Sequence, residues 1–68
     1  MTLVDARGLR CPWPVLRLAR TMRETAGDVS IVADDPIAPG EIAALAEQNG
    51  WQVGPVETAI GNGFLVRR

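Results

Sequence analysis

Arg10-Cys11-Pro12-Trp13-Pro14-Val15-Leu16-Arg17-Leu18-Ala19-Arg20-Thr21-Met22 is the stretch in which the chain passes from a turn into a helix. Two prolines so close together suit a helix only in its first turn, where the amides have no intrahelical partner. The residue before a proline avoids the helical region, which argues for a start at Pro14. Beyond it, Val15, Leu18, Ala19 and Met22 fall at i, i+3, i+4 and i+7, one apolar stripe, with Arg17, Arg20, Arg23 and Glu24 off it. Cys11 therefore sits at or just before the N-cap, outside the stripe.

Working outward, Leu3-Val4-Asp5 reads as a short strand ended by Ala6-Arg7-Gly8, where Gly8 supplies a turn that other residues resist. Downstream, Gly27 is the expected stop of the first helix. Val29-Ser30-Ile31-Val32-Ala33 is β-branched and short, as in a largely buried strand, and Asp34-Asp35-Pro36 ends it. A second helix is expected from about Pro39 to Asn49, with Ile42, Leu45 and Ala46 buried and Gly50 as its stop. Trp51-Gln52-Val53 opens a third strand that Pro55 confines to an edge or a bulge. Gly61-Asn62-Gly63 reads as a turn, and Phe64-Leu65-Val66-Arg67 as a fourth strand in a hairpin with the third. The order is β-α-β-α-β-β. Right-handed crossovers place both helices on one face of a four-stranded mixed sheet, an α+β two-layer sandwich. The other sheet face is expected to be at least partly open.

The chain has 68 residues, expected to form one domain over 1–68. A chain this short buries only ~60% of the surface its unfolded form exposes, so its core is marginal. Hydrophobic residues make up 47%, too many for a disordered tail. The single cysteine excludes an internal disulfide, and with no histidine and no cysteine cluster an ordinary zinc site has no ligands. No cofactor is expected. A secreted domain of this size would carry several cysteines, and Met1-Thr2-Leu3-Val4-Asp5-Ala6-Arg7 lacks the apolar core of a signal peptide. No apolar run approaches the length of a membrane span. The expected location is the cytoplasm, away from membranes.

Net charge is −1, which gives no bulk attraction to nucleic acid. All seven basic residues are arginine, and Arg7, Arg10, Arg17, Arg20 and Arg23 fall in the first third. They read either as a solvated helix face or as a positive rim around Cys11.

A helix N-terminus favours an anion, and nearby arginines lower a thiol's pKa. Pro12 and Pro14 have no N–H, so the Trp13 amide is the expected donor to sulfur, with Val15 second. Disulfide exchange usually wants a second cysteine, hydrolysis a histidine base and metal binding more ligands. What remains is chemistry for which one activated sulfur suffices: taking a sulfane sulfur from one partner and passing it to another.

Leu3-Val4-Asp5-Ala6-Arg7-Gly8-Leu9-Arg10-Cys11-Pro12-Trp13-Pro14 resembles the opening of the TusA/SirA-like family of small sulfur-transfer proteins, with Asp, then Gly, then Cys-Pro-x-Pro opening a helix. Asp34-Asp35-Pro36 and the closing Phe64-Leu65-Val66-Arg67-Arg68 fit as well. The resemblance implies a β-α-β-α-β-β sandwich related to the C-terminal domain of a translation initiation factor. It implies a persulfide on Cys11; Trp13 occupies the motif's free position, and the residues expected to support the cysteine are Pro12, Trp13, Pro14, Arg10, Asp5 and Gly8. The implied partners are a cysteine desulfurase or rhodanese as sulfur donor and an acceptor protein. The end uses in the family include tRNA 2-thiouridine, molybdenum cofactor and sulfur oxidation.

Other residues admit plainer roles. Asp5 is expected to hold its turn by accepting backbone amides. Asp34 and Asp35 are candidates for an acid/base pair, though a strand-end turn or a cap for the second helix is the favoured reading. Trp13 either packs over the helix start or stands exposed as an anchor for a partner. Trp51 and Met22 read as packing residues. The alternatives to a sulfur carrier are a regulatory or protein-binding module with an incidental thiol and, less favoured, an RNA-binding domain, for which aromatics are sparse and charge is near zero. A monomer is expected.

Overall fold

A computed structural model describes residues 2–68. Its elements run β1 (Thr2–Ala6), α1 (Trp13–Glu24), β2 (Val29–Ala33), α2 (Ala38–Asn49), β3 (Gln52–Thr58) and β4 (Gly61–Arg67). The sheet order is β1-β2-β4-β3, with β1 parallel to β2 and the other two pairings antiparallel. This is the β-α-β-α-β-β mixed sheet expected from the sequence. Pro55 lies in β3, the edge strand, where a missing N–H leaves no gap in the interior of the sheet. No helix of the described residues is long and apolar enough to cross a membrane.

The core lies between the sheet and the two helices. Val4 and Ala6 of β1, Val29 and Ile31 of β2 and Val66 of β4 meet Leu18 and Met22 of α1 and Ala38 and Ile42 of α2. Strand alternation explains the set, because residues two apart in a strand share a face. β2 is central and is buried on both faces: Ser30 and Val32, pointing away from the helices, are nearly as hidden as Ile31. The turn end of the β3–β4 hairpin lies near this second face. A shallow groove there is lined by Leu3 and Ser30 together with Val56, Glu57, Thr58 and Ala59. The second face is thus closed in part by the chain itself, while Leu3 stays exposed.

Three local readings need correction. Helix α1 begins at Trp13, one residue before Pro14, and its buried row is Pro14, Leu18 and Met22; Val15 and Ala19 are only half-buried. It ends at Glu24, well short of Gly27. Thr25 is already extended, and both its amide and its hydroxyl donate to the Thr21 carbonyl. The end of the helix is also held from the far terminus of the chain. Arg68 donates to the carbonyls of Met22 (2.7 Å), Ala26 (3.1 Å) and Thr25. A cation on the last carbonyls answers both their unmet hydrogen bonds and the negative end of the helix.

The third correction concerns Gly61-Asn62-Gly63. These residues are strand, paired with Thr58, Glu57 and Val56. The turn is Ala59-Ile60, closed by Thr58, whose hydroxyl donates to the Gly61 carbonyl at 2.7 Å and accepts the Ile60 amide at 3.2 Å. Helix α2 starts at Ala38, one residue before Pro39, and stops as expected at Gly50.

Candidate functional site

Parallel β-α units bring successive helices to start at the same edge of a sheet, beyond the carboxyl ends of the strands. Here the β1–α1 loop (residues 7–12) and the β2–α2 loop (residues 34–37) meet at that edge, and Cys11 lies between them. Gly8 has φ +80°, a left-handed conformation that lets the first loop turn back over the strand end.

The two loops are tied by carboxylates. Asp34 Oδ1 accepts the Gly8 amide at 2.9 Å. Asp35 Oδ2 accepts the Cys11 amide at 2.6 Å, and its Oδ1 accepts the Ile37 amide at 3.3 Å. The Asp35 carbonyl also accepts the Ala38 amide. Asp35 thus forms the strand-end turn that leads into α2, and both aspartates bind amides of the cysteine loop. The pair is engaged in amide binding, which argues against an acid/base role. Asp35→Ala is expected to lower stability by about 2 kcal/mol, since bonds to a charged acceptor in a half-buried place are lost. Urea unfolding measures it; a change below a few tenths of a kcal/mol would show that the tie carries no weight.

The first loop has a brace of its own. Asp5 Oδ1 accepts the Arg7 amide at 3.1 Å and the Arg7 Nε at 2.9 Å, while Oδ2 meets Arg7 Nη2 at 2.9 Å. The side-chain bond to Arg7 and then its amide hold the Asp5 carboxyl down at about 2, against an ordinary 3.8. Because the folded-state value is depressed, this brace is at full strength above about pH 4 and is lost as pH falls towards 2. The pair is half exposed, so the gain is small. Asp5→Asn should remove this part of the acid sensitivity: unfolding midpoints between pH 5 and pH 2 should fall less steeply than in the unaltered protein. Equal slopes would refute the assignment.

Cys11 itself is half-buried. Its peptide bond to Pro12 is cis. The Trp13 amide, expected to face the sulfur, donates instead to the Arg10 carbonyl at 2.8 Å. The positive rim is absent as well: Arg7 is spent on Asp5, and Arg10 is exposed, with the thiol's charged neighbours supplied by Glu41 and Asp35. Glu41, in the first turn of α2, receives the thiol: Sγ lies 3.7 Å from Glu41 Oε1. Partial burial first, then the Glu41 charge and hydrogen bond, then the Asp35 charge, push the Cys11 pKa up. The expectation of a depressed thiol is therefore reversed. Proline removes donors from this helix start, the Trp13 amide is used elsewhere, and the charges acting on the thiol are negative.

Glu41 was not singled out from the sequence. The signal that would have found it is topological: two parallel β-α units place the first turn of α2 beside the first turn of α1. Among the other expected residues, Pro14 is buried and Pro12 is exposed. Trp13 is 61% exposed and Leu16 50%, so an apolar patch lies beside the thiol, with Leu9, Arg17 and Arg20 at its margins. Trp13 does not fold back over the helix start.

A small two-layer sandwich with one thiol on the loop entering its first helix defines a class of protein: a one-cysteine α+β domain. The family described as Sulfurtransferase TusA matches residues 2–67. The chain belongs to that family. It is 40% identical over 55 residues to a protein of Archaeoglobus fulgidus described as "Putative sulfur carrier protein", covering 78% of this chain and 71% of the relative. The crystal structure of a SirA-like protein from Desulfitobacterium hafniense superposes with a TM-score of 0.80 at 28% identity, covering 98% of this chain and 95% of that one.

Proposed function

We propose that this chain carries sulfane sulfur as a persulfide on Cys11, taking it from a donor protein and passing it to an acceptor protein. The observation that supports this most directly is the placement of the thiol. It is the chain's only one, half-buried at the joint of two braced loops, with an exposed tryptophan beside it. A persulfide on the donor, R–S–SH, meets the Cys11 thiol, and the terminal sulfur moves across. The donor's S–S bond breaks as the new one forms, giving Cys11–S–SH and R–SH. Exposed apolar surface beside the sulfur suits contact with a protein rather than capture of a small metabolite. A cysteine desulfurase or a rhodanese has the chemistry of the donor, and a thiol protein that of the acceptor. The protein acts as a stoichiometric carrier between them rather than as an enzyme turning over a small substrate.

Incubation of the full chain with glutathione persulfide, followed by intact-mass and peptide mapping, tests the reading. The expected product is heavier by about 32 Da per sulfur, located on Cys11. Absence of any adduct with glutathione persulfide and with inorganic polysulfide would overturn it.

A further inference from the structure

The surroundings of the Cys11 sulfur treat its two states differently. As a thiol, Sγ has a proton to offer, and Glu41 Oε1 lies 3.7 Å away to accept it. As a persulfide the group is more acidic than the parent thiol, is anionic at neutral pH and has no proton to offer. Its charge then sits on the terminal sulfur, one S–S bond beyond an Sγ that lies 3.7 Å from the Glu41 carboxylate. The other acid facing it, Asp35, is already bound to the Cys11 and Ile37 amides. The neighbouring cations are engaged elsewhere: Arg7 with Asp5, Arg17 with the Asp5 carbonyl, and Arg20 with Glu24. Arg10, on the cysteine's own loop, is exposed.

We infer that Glu41 biases the carrier towards unloading, its carboxylate favouring the empty, protonated Cys11 over the loaded, anionic one. The inference rests on the persulfide reading above. Unloading is Cys11–S–S⁻ + R–SH → Cys11–SH + R–S–S⁻. The S–S bond at Cys11 breaks with its electron pair left on Sγ, and a new S–S bond forms on the acceptor sulfur. The acceptor's proton ends on Sγ, where Glu41 holds it. Charge and atoms balance with no added oxidant or reductant. The same raised thiol pKa keeps the empty carrier protonated and quiet between encounters.

The test equilibrates the full chain, Glu41→Gln and Glu41→Asp with a fixed mixture of glutathione persulfide and glutathione, and reads the loaded fraction by intact mass. Glu41→Gln should hold sulfur about three- to tenfold more tightly at pH 7, the size of a unit-charge interaction near 4 Å in a water-like dielectric. Glu41→Asp, which keeps the charge, should stay close to the unaltered protein. The difference should shrink at low pH, where the persulfide is protonated, and at high pH, where the empty thiol ionises too. A role confined to structure gives no such profile. Glu41→Ala, which removes the charge by another route, should repeat the rise if the glutamine variant folds poorly. In parallel, the pH profile of iodoacetamide alkylation should move to lower pH in Glu41→Gln. Equal loading of the acidic and neutral variants overturns the role of Glu41 and leaves the persulfide reading standing. Failure of the unaltered protein to load overturns both, and an unmoved alkylation profile overturns the Glu41 charge effect independently.

Discussion

Gly63→Ala is expected to destabilise the fold by about 3 to 5 kcal/mol, enough to leave a chain of this size largely unfolded under mild denaturing conditions. A Cβ at Gly63 would lie 2.2 Å from the Ile31 carbonyl oxygen, 2.9 Å from Val32 Cγ2 and 3.0 Å from the Ile31 carbonyl carbon. Two of these three atoms are backbone, and Ile31 cannot retreat. It is fully buried, paired to Val4 on one side and to Phe64 on the other. Relief therefore requires β4 to move off β2, and β4 carries Val66 into the core. Gly40→Ala is the internal control. It lies in α2 with open space where its Cβ would stand, and alanine there should stabilise by about 0.5 to 1 kcal/mol. Urea unfolding of both variants measures the contrast. A Gly63→Ala protein within 1 kcal/mol of the parent would mean that the strands do not approach so closely.

Gly63 also shows where reading the sequence reaches its limit. Gly61-Asn62-Gly63 has turn composition, and glycine in a strand looks the same as glycine in a turn until the neighbouring strand is known. The turn fell instead on Ala59-Ile60, closed by a threonine hydroxyl that carries no strong compositional mark. The end of α1 was hidden for a similar reason. Arg68, more than forty residues on, binds its last carbonyls, and no local signal reports that contact. What was legible came from short-range rules: the row containing Leu18 and Met22, the stop at Gly50 and the edge or bulge to which Pro55 confines its strand, here an edge. Each depends only on a residue's own backbone preference or on its spacing along one element.

The site divides along the same line. The cysteine loop could be located from Gly8 and the prolines, whose constraints are local. Its electrostatics could not. Reading outward along the chain makes Arg7 and Arg10 the thiol's neighbours, whereas in space the nearest charges are Asp35 and Glu41, 24 and 30 positions away. Arg7 is withdrawn by Asp5, its partner two residues back. The motif therefore singled out Cys11 and misjudged the field around it. That field distinguishes a thiol held as a reactive anion from one held with its proton.

Cys11→Ser should abolish sulfur uptake completely while leaving the fold intact, which makes it the sharpest separation of chemistry from structure that this chain allows. The loop is held through backbone amides. Asp35 binds the Cys11 N–H, Asp34 the Gly8 N–H and Arg10 the Trp13 N–H, and none of these bonds involves the sulfur. The side chain's hydrogen bond to Glu41, at 3.7 Å, is long, and a serine hydroxyl can donate in its place. Unfolding free energies of the two proteins should therefore agree within about 1 kcal/mol, the usual range for exchange of a partly exposed polar group. Loading should differ without limit, because serine offers no thiolate and the chain has no second cysteine to take over. Exposed to glutathione persulfide, the serine variant should stay at its unmodified mass throughout, at every pH at which the parent loads. Persistent addition of sulfur to the serine variant would place the reacting group elsewhere. Loss of uptake together with loss of fold would mean that the sulfur holds the loop, contrary to the amide bonds that surround it.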